Sequence, residues 1–207
     1  NYPLTPDPSL PTSETGMRHR TAARMSLLTK ALVISVSERR QVVNVFVDGK
    51  GHQLRSVQEL MGTVNQLMVS LQSTRTQLDR NLLRLTTLEL DNYVTLADIS
   101  QTIYLFEVLS TVAEELNELV LQLGSSCKSI AMQRDEIMGN MDEEYTLLVR
   151  DYASDSSEEN ARAIRSRLHK TDKDQLRVPK HVAEMLGYDD KDEDSIMTSL
   201  GLRTLSS

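Results

Sequence analysis

Between Val57 and Leu85, apolar residues recur at positions 57, 60, 61, 64, 67, 68, 71, 78, 82 and 85. Steps of three, four and seven hold one stripe of a 3.6-residue helix apolar and nearly keep a heptad. A stripe of that length is buried only against other helices, so it commits most of the chain to packed helices. The pattern then resumes. Thr95-Leu96-Ala97-Asp98 is a capping box with Asp in place of Glu. Behind it, Ile99, Ile103, Phe106, Leu109, Val112, Leu116, Leu119 and Leu123 recur at helical spacing, and Gly124 supplies a stop. A further helix is expected over 128–152, broken near Gly139. A weaker one follows over 161–170, and a short one over 178–186 ends at Gly187. The segments 154–160 and 189–194 are polar and acidic, as surface connections are. Leu and nine Met with only 4% aromatic residues and no Trp fit the same picture. Met61, Met68, Met132, Met138 and Met141 read as core.

The first 55 residues are of another kind. Four of the five prolines stand at Pro3, Pro6, Pro8 and Pro11. Each fixes its own φ and pushes the preceding residue toward extended geometry, so this is a semi-rigid loop. Gly16 lets the backbone turn tightly into a helix over 18–30, whose apolar side would hold Ala22, Ala23, Met25 and Leu28. Residues 31–36 (ALVISV) read as a buried strand and 41–47 (QVVNVFV) as its partner. Asp48-Gly49-Lys50-Gly51 supplies turn chemistry, and 52–55 pairs back as a short third strand. Two or three strands with one helix are too few for a sheet of their own. The expected class is therefore α+β, mostly α. Residues 1–55 form part of an α/β domain, and residues 56–207 form an elongated helical region. Asn1 is not an initiator methionine, and the apolar pattern of 196–207 simply stops, so a piece of a longer protein is expected.

Charge narrows the function classes. Residues 1–60 carry eight Lys/Arg against five Asp/Glu, and the remainder carries 15 against 25, for a net charge of −7. A chain this acidic is a poor general binder of nucleic acid. Cys127 is the one cysteine, which excludes an internal disulfide and fits a reducing cytoplasm. No apolar run approaches the length of a membrane span.

The local positive excess centres on Thr15-Gly16-Met17-Arg18-His19-Arg20-Thr21. Arginine presents planar donors that match phosphate oxygens in pairs. A helix N-terminus adds free N–H groups and a favourable dipole. A histidine between the arginines can donate to a phosphate oxygen. The plain alternative is a solvated basic turn. Ser35 and Ser37 alternate with Val36 and share a face at a strand end, where ligands gather in open α/β sheets; ordinary strand-end serines look the same. Glu38-Arg39-Arg40 adds charge beside them or forms a turn. Asp142-Glu143-Glu144 is an acidic helical run of the solvated kind. His52, His169 and His181 have no metal-ligand spacing. Neither a Walker loop nor GxGxxG nor a nucleophile elbow is present.

In this order the motifs resemble those of the DNA integrity scanning protein (DisA) family of bacterial diadenylate cyclases. The segments that carry the resemblance are PDPSLPTSETGMRHRTA at 6–22, LVISVSERRQVVNVF at 32–46, LELDNYVTLADI at 88–99, LLVRDY at 147–152 and MLGYDD at 185–190. The resemblance implies a cyclase (DAC) domain that condenses two ATP into cyclic di-AMP with release of two pyrophosphates, using Mg²⁺ or Mn²⁺. It also implies a helical linker that builds an octamer, and a helix-hairpin-helix module that binds branched DNA in the bacterial cytoplasm at the nucleoid. On that basis Leu4, Met17, Arg18, His19, Arg20 and Thr21 would contact ATP, and Ser35 and Ser37 would support the phosphate site.

The family's metal-binding Asp-Gly-Ala motif is not found in this sequence, nor is the DNA-binding hairpin. The chain would then be the second half of the cyclase domain plus the linker, 1–55 and 56–207, with no catalytic or metal-ligating residue of its own. Alone it is expected to be inactive. The rival reading is a non-catalytic helical oligomerisation scaffold with a degenerate arginine motif. A nucleic-acid binder using the basic turn is disfavoured by the net charge and by the lack of an aromatic platform nearby.

Overall fold

A computed structural model of the chain describes residues 6–37 and 42–188. Leu4, the Glu38-Arg39-Arg40 turn and everything from Asp189 onward therefore lie outside the described residues. The chain divides into two compact units, with the boundary between Thr63 and Val64.

In the first unit, helix α1 (Met17–Thr29) is followed by strands β1 (Val33–Ser37), β2 (Val42–Val47) and β3 (Lys50–Gln53). The strands form an antiparallel sheet in the order β1-β2-β3. Asp48 (φ 46°) and Gly49 (φ 78°) both take positive φ between β2 and β3, as a two-residue type I′ hairpin turn requires. That turn is tied to α1. The Gly49 N–H donates to Ser26 Oγ (2.9 Å), and the Ser26 hydroxyl donates to the Ala23 carbonyl (2.8 Å).

The small core is Ala22, Ala23 and Phe46, with Val33 packed against it. Two expectations change here. The 31–36 run was expected to be buried, but Ile34 and Val36 are 59% and 62% exposed. Alternate residues of a strand face opposite ways, and α1 packs on β1 and β2 from the side that carries Val33 and Phe46. Leu28 is likewise exposed, and buried Ser26 takes its place on the face of Ala22 and Ala23.

Helix α2 (Val57–Leu90) opens on its own capping box. Ser56 Oγ accepts from the Glu59 N–H (3.2 Å), and Glu59 Oε2 accepts from the Ser56 N–H (2.8 Å). The unit boundary falls within this helix. In the second unit its buried seam is Val64, Leu71, Leu78 and Leu85, one residue per heptad.

Helix α3 (Leu96–Leu123) starts at the Thr95 capping box and ends at Gly124 (φ 62°). Helices α4 (Lys128–Met138) and α5 (Met141–Tyr152) are separated at Gly139 (φ 49°), and α6 (Glu158–Lys170) and α7 (Pro179–Met185) follow. α3 packs against α4, α5 and α7, which makes it the centre of the unit. Its buried residues include Ile99, Ile103, Phe106, Leu109 and Leu116. Of the methionines read as core, Met141 is buried and Met132 is exposed.

Two buried tyrosines, seven residues apart on α5, each donate to a buried glutamate. Tyr145 bonds Glu107 of α3 at 2.7 Å, and Tyr152 bonds Glu89 of α2. Glu107 also accepts from Lys173 Nζ (3.1 Å) and lies 3.2 Å from His169 Nδ1. A buried carboxylate is tolerated when donors surround it in this way.

Candidate nucleotide-phosphate site

The arginine motif sits where α1 begins. Gly16 is the N-cap at φ 100° and ψ 140°, a conformation that side-chain-bearing residues rarely adopt. With no side chain it caps nothing, and no acidic residue occupies the first turn. The Gly16 carbonyl takes the first helical bond, from the Arg20 N–H at 3.0 Å. The N–H groups of Met17, Arg18 and His19 precede that bond, so the helix itself gives them no acceptor. Such a terminus carries partial positive charge and favours an anion. Arg18, Arg20 and Thr21 are exposed around it, and Met17 is 80% exposed. The Thr21 hydroxyl donates to the Met17 carbonyl (2.8 Å), so it braces the first turn.

The approach to this terminus is fixed by the proline-rich loop. The Asp7 carboxylate accepts from the Ser9 N–H (2.9 Å), a bond that holds its pKa below the ordinary carboxylate value. Arg24 Nε donates from α1 to the Leu10 carbonyl (3.0 Å).

His19 differs from its neighbours because it is half-buried. Its Nε2 lies 3.2 Å from Asn44 Nδ2, and its ring lies 6.1 Å from that of buried Phe46. The register pairs Asn44 with Ser35 on β1 and with Gln53 on β3. Directly opposed residues share a sheet face. The structure thus brings His19, Asn44 and Ser35 to one side of the sheet, and Ser37 shares that side two residues on. Asn44 and Phe46 were missed by the sequence reading, because only the register sets them against His19.

Other candidates resolve as structure. Asp142 pairs with Arg165 and Glu144 with Arg75, so that acidic run is ion-paired across helices. Among the described residues, no three His, Cys, Asp or Glu converge to hold a metal. The residues at the α1 terminus are cationic and fit phosphates rather than Mg²⁺ or Mn²⁺. Two surface cavities of the second unit, about 610 and 390 Å³, are lined by none of the sequence-predicted ATP-site residues. Among the described residues no helix is long and apolar enough to cross a membrane.

Two family models match the chain. One, the DisA bacterial checkpoint controller nucleotide-binding region, covers residues 2–51. The other, the DisA bacterial checkpoint controller linker region, covers 54–195. A DNA integrity scanning protein DisA from Carboxydothermus hydrogenoformans is 35% identical over 91% of this chain and 53% of its own length. The protein of that name from Streptomyces coelicolor is 33% identical over 98% of this chain and 56% of its own. One from Corynebacterium glutamicum is 35% identical over the whole chain and 58% of its own length. The chain therefore spans about half the length of the curated relatives it matches.

Proposed function

The chain belongs to the DisA family, and from that premise we propose that it is part of a diadenylate cyclase, in which Arg18, His19 and Arg20 hold the phosphates of one ATP. The observation that carries this reading is the first turn of α1. It is uncapped and free of acidic residues, it is flanked by two exposed arginines, and it lies inside the segment matched by the nucleotide-binding family. Thr21 keeps that turn in shape, and Met17 contributes its backbone N–H. Ser35 and Ser37 lie on the neighbouring strand β1, and the family resemblance would bring Leu4 to the adenosine.

Two ATP combine to cyclic di-AMP when each 3′-hydroxyl gives up its proton to solvent, its oxygen bonds to the α-phosphorus of the other nucleotide, and the bond from that phosphorus to pyrophosphate breaks. Little covalent work falls to the protein in phosphoryl transfer; positioning and charge stabilisation dominate. The guanidinium groups of Arg18 and Arg20 would neutralise charge gathering on the departing pyrophosphate. Mg²⁺ or Mn²⁺ remains part of the proposal for the whole protein, held by groups other than the described residues. So do assembly into an octamer through the helical region, contact with branched DNA through a module beyond this sequence, and a place at the bacterial nucleoid.

A hydrogen bond to a charged group is worth about 1.5–3 kcal/mol, so each arginine should matter about tenfold or more in nucleotide affinity. The test uses the full-length protein with Arg18→Ala and Arg20→Ala together. Chromatography of the products from ATP should show no cyclic di-AMP, while light scattering shows an unchanged oligomer. Wild-type turnover would sink the reading and favour the second one, a helical scaffold. That alternative draws on exposed Leu83, Leu90 and Leu121 of the helical region.

A further inference from the structure

We infer that Asn44 is a positioning residue for His19, and that it holds the imidazole with its Nδ1–H turned toward the start of α1. This rests on the phosphate-site reading above, and deepens it by naming a residue that acts through another.

His19 is gripped from β2 at two points. Asn44 Nδ2 stands 3.2 Å from Nε2, and Phe46 lies against the ring at 6.1 Å between centroids with a tilt of 35°. Asn44 and Phe46 are alternate residues of one strand, so a single rigid element sets both contacts. β2 is the central strand, hydrogen-bonded on both sides, and cannot shift without breaking both ladders.

The consequence is chemical. With the Asn44 amide oriented so that Nδ2 faces the ring, the amide can only donate, which makes Nε2 the acceptor. A neutral imidazole that accepts at Nε2 carries its hydrogen at Nδ1. Nδ1 lies 4.0 Å from the point where a side-chain carbon on Gly16 would stand. Nδ1 is therefore next to the N-cap residue, and its hydrogen would add a donor to the N–H groups of the first turn. Without Asn44 the ring could place its hydrogen on either nitrogen, and the Nδ1 donor would be lost in the other tautomer.

The residue pair is tested in the full-length protein by two measurements. Nitrogen NMR on 15N-histidine-labelled protein above neutral pH reads the tautomer, with His19 signals assigned by their absence in His19→Gln. The expected result is a protonated Nδ1 and an unprotonated Nε2, with mixed tautomers in Asn44→Leu. A wild-type His19 protonated at Nε2 overturns the proposal even if Asn44→Leu does not fold.

The second measurement is the affinity for α,β-methylene-ATP in a double-mutant cycle. Asn44→Leu and His19→Gln should each weaken binding severalfold, and the double variant should be no weaker than His19→Gln alone. Additive losses, or an Asn44→Leu that binds like wild type, overturn the positioning role. Arg18→Ala separates the two levels of argument. If it weakens binding while the cycle is additive, only the Asn44 inference fails. If Arg18→Ala also binds like wild type, the phosphate site itself is misplaced.

Discussion

Replacing Tyr145 by Phe removes one hydroxyl from the centre of the helical unit and nothing else. The phenol is 1% exposed and donates to Glu107, itself 1% exposed, at 2.7 Å. Its ring stacks on Phe106 at 4.6 Å with a 4° angle, and the Arg165 guanidinium lies 4.7 Å above it. Both ring contacts survive in Phe. The loss is the hydrogen bond to a buried carboxylate, worth about 1.5–3 kcal/mol. Glu107 keeps Lys173 and His169 as partners, which places the cost near the lower end. For a chain of this size that lowers the thermal midpoint by about 3–8 °C.

The effect has a pH signature. Burial, the Glu107 charge and the hydrogen bond to it, in that order, push the Tyr145 pKa well above its ordinary 10.0. A group whose folded pKa is raised contributes stability that is fully present below the unfolded value and is lost as pH rises through the folded one. Above pH 10 the wild type should therefore lose up to about 1.4 kcal/mol per pH unit relative to Tyr145→Phe. Urea unfolding at pH 7, 10 and 11 measures both effects. Equal midpoints at pH 7, or a gap that stays constant to pH 11, would refute the reasoning.

Two further changes probe local chemistry. Gly49→Ala demands positive φ from a residue with a side chain and places its Cβ 2.6 Å from Leu27 Cγ. It should cost about 2–4 kcal/mol in thermal unfolding, whereas Gly62→Ala meets nothing within 4 Å in the second turn of α2 and should gain about 0.5–1 kcal/mol. Thr95→Ala removes the acceptor for the Asp98 N–H. It should lower stability by about 1 kcal/mol, read as a shift of the denaturant midpoint with an unchanged slope.

The helical part of the fold was legible because period and punctuation agreed. The heptad positions Val64, Leu71, Leu78 and Leu85 of α2 are buried while Val57 at its start is exposed, Thr95 and Asp98 do form a capping box, and Gly124 and Gly139 stand where helices end. Burial in the sheet was less legible. ALVISV is apolar on both faces, and which face α1 covers is a tertiary fact that the run does not encode. Buried polar groups were hidden for a related reason. Periodicity assigns Glu107 and Tyr145 to helix faces, but the bond between them spans 38 residues of sequence. At the candidate site the arginines and Gly16 announced themselves through residue type and spacing. Asn44 did not, because an asparagine in a strand has no signature until register sets it against His19.

The central claim is that the α1 N-terminus receives nucleotide phosphates. A crystal structure of the full-length protein with α,β-methylene-ATP tests it most directly. The account predicts phosphate oxygens within hydrogen-bonding distance of the Arg18 and Arg20 guanidinium groups and of the first-turn N–H groups of α1. A nucleotide bound with its phosphates away from that turn would contradict it.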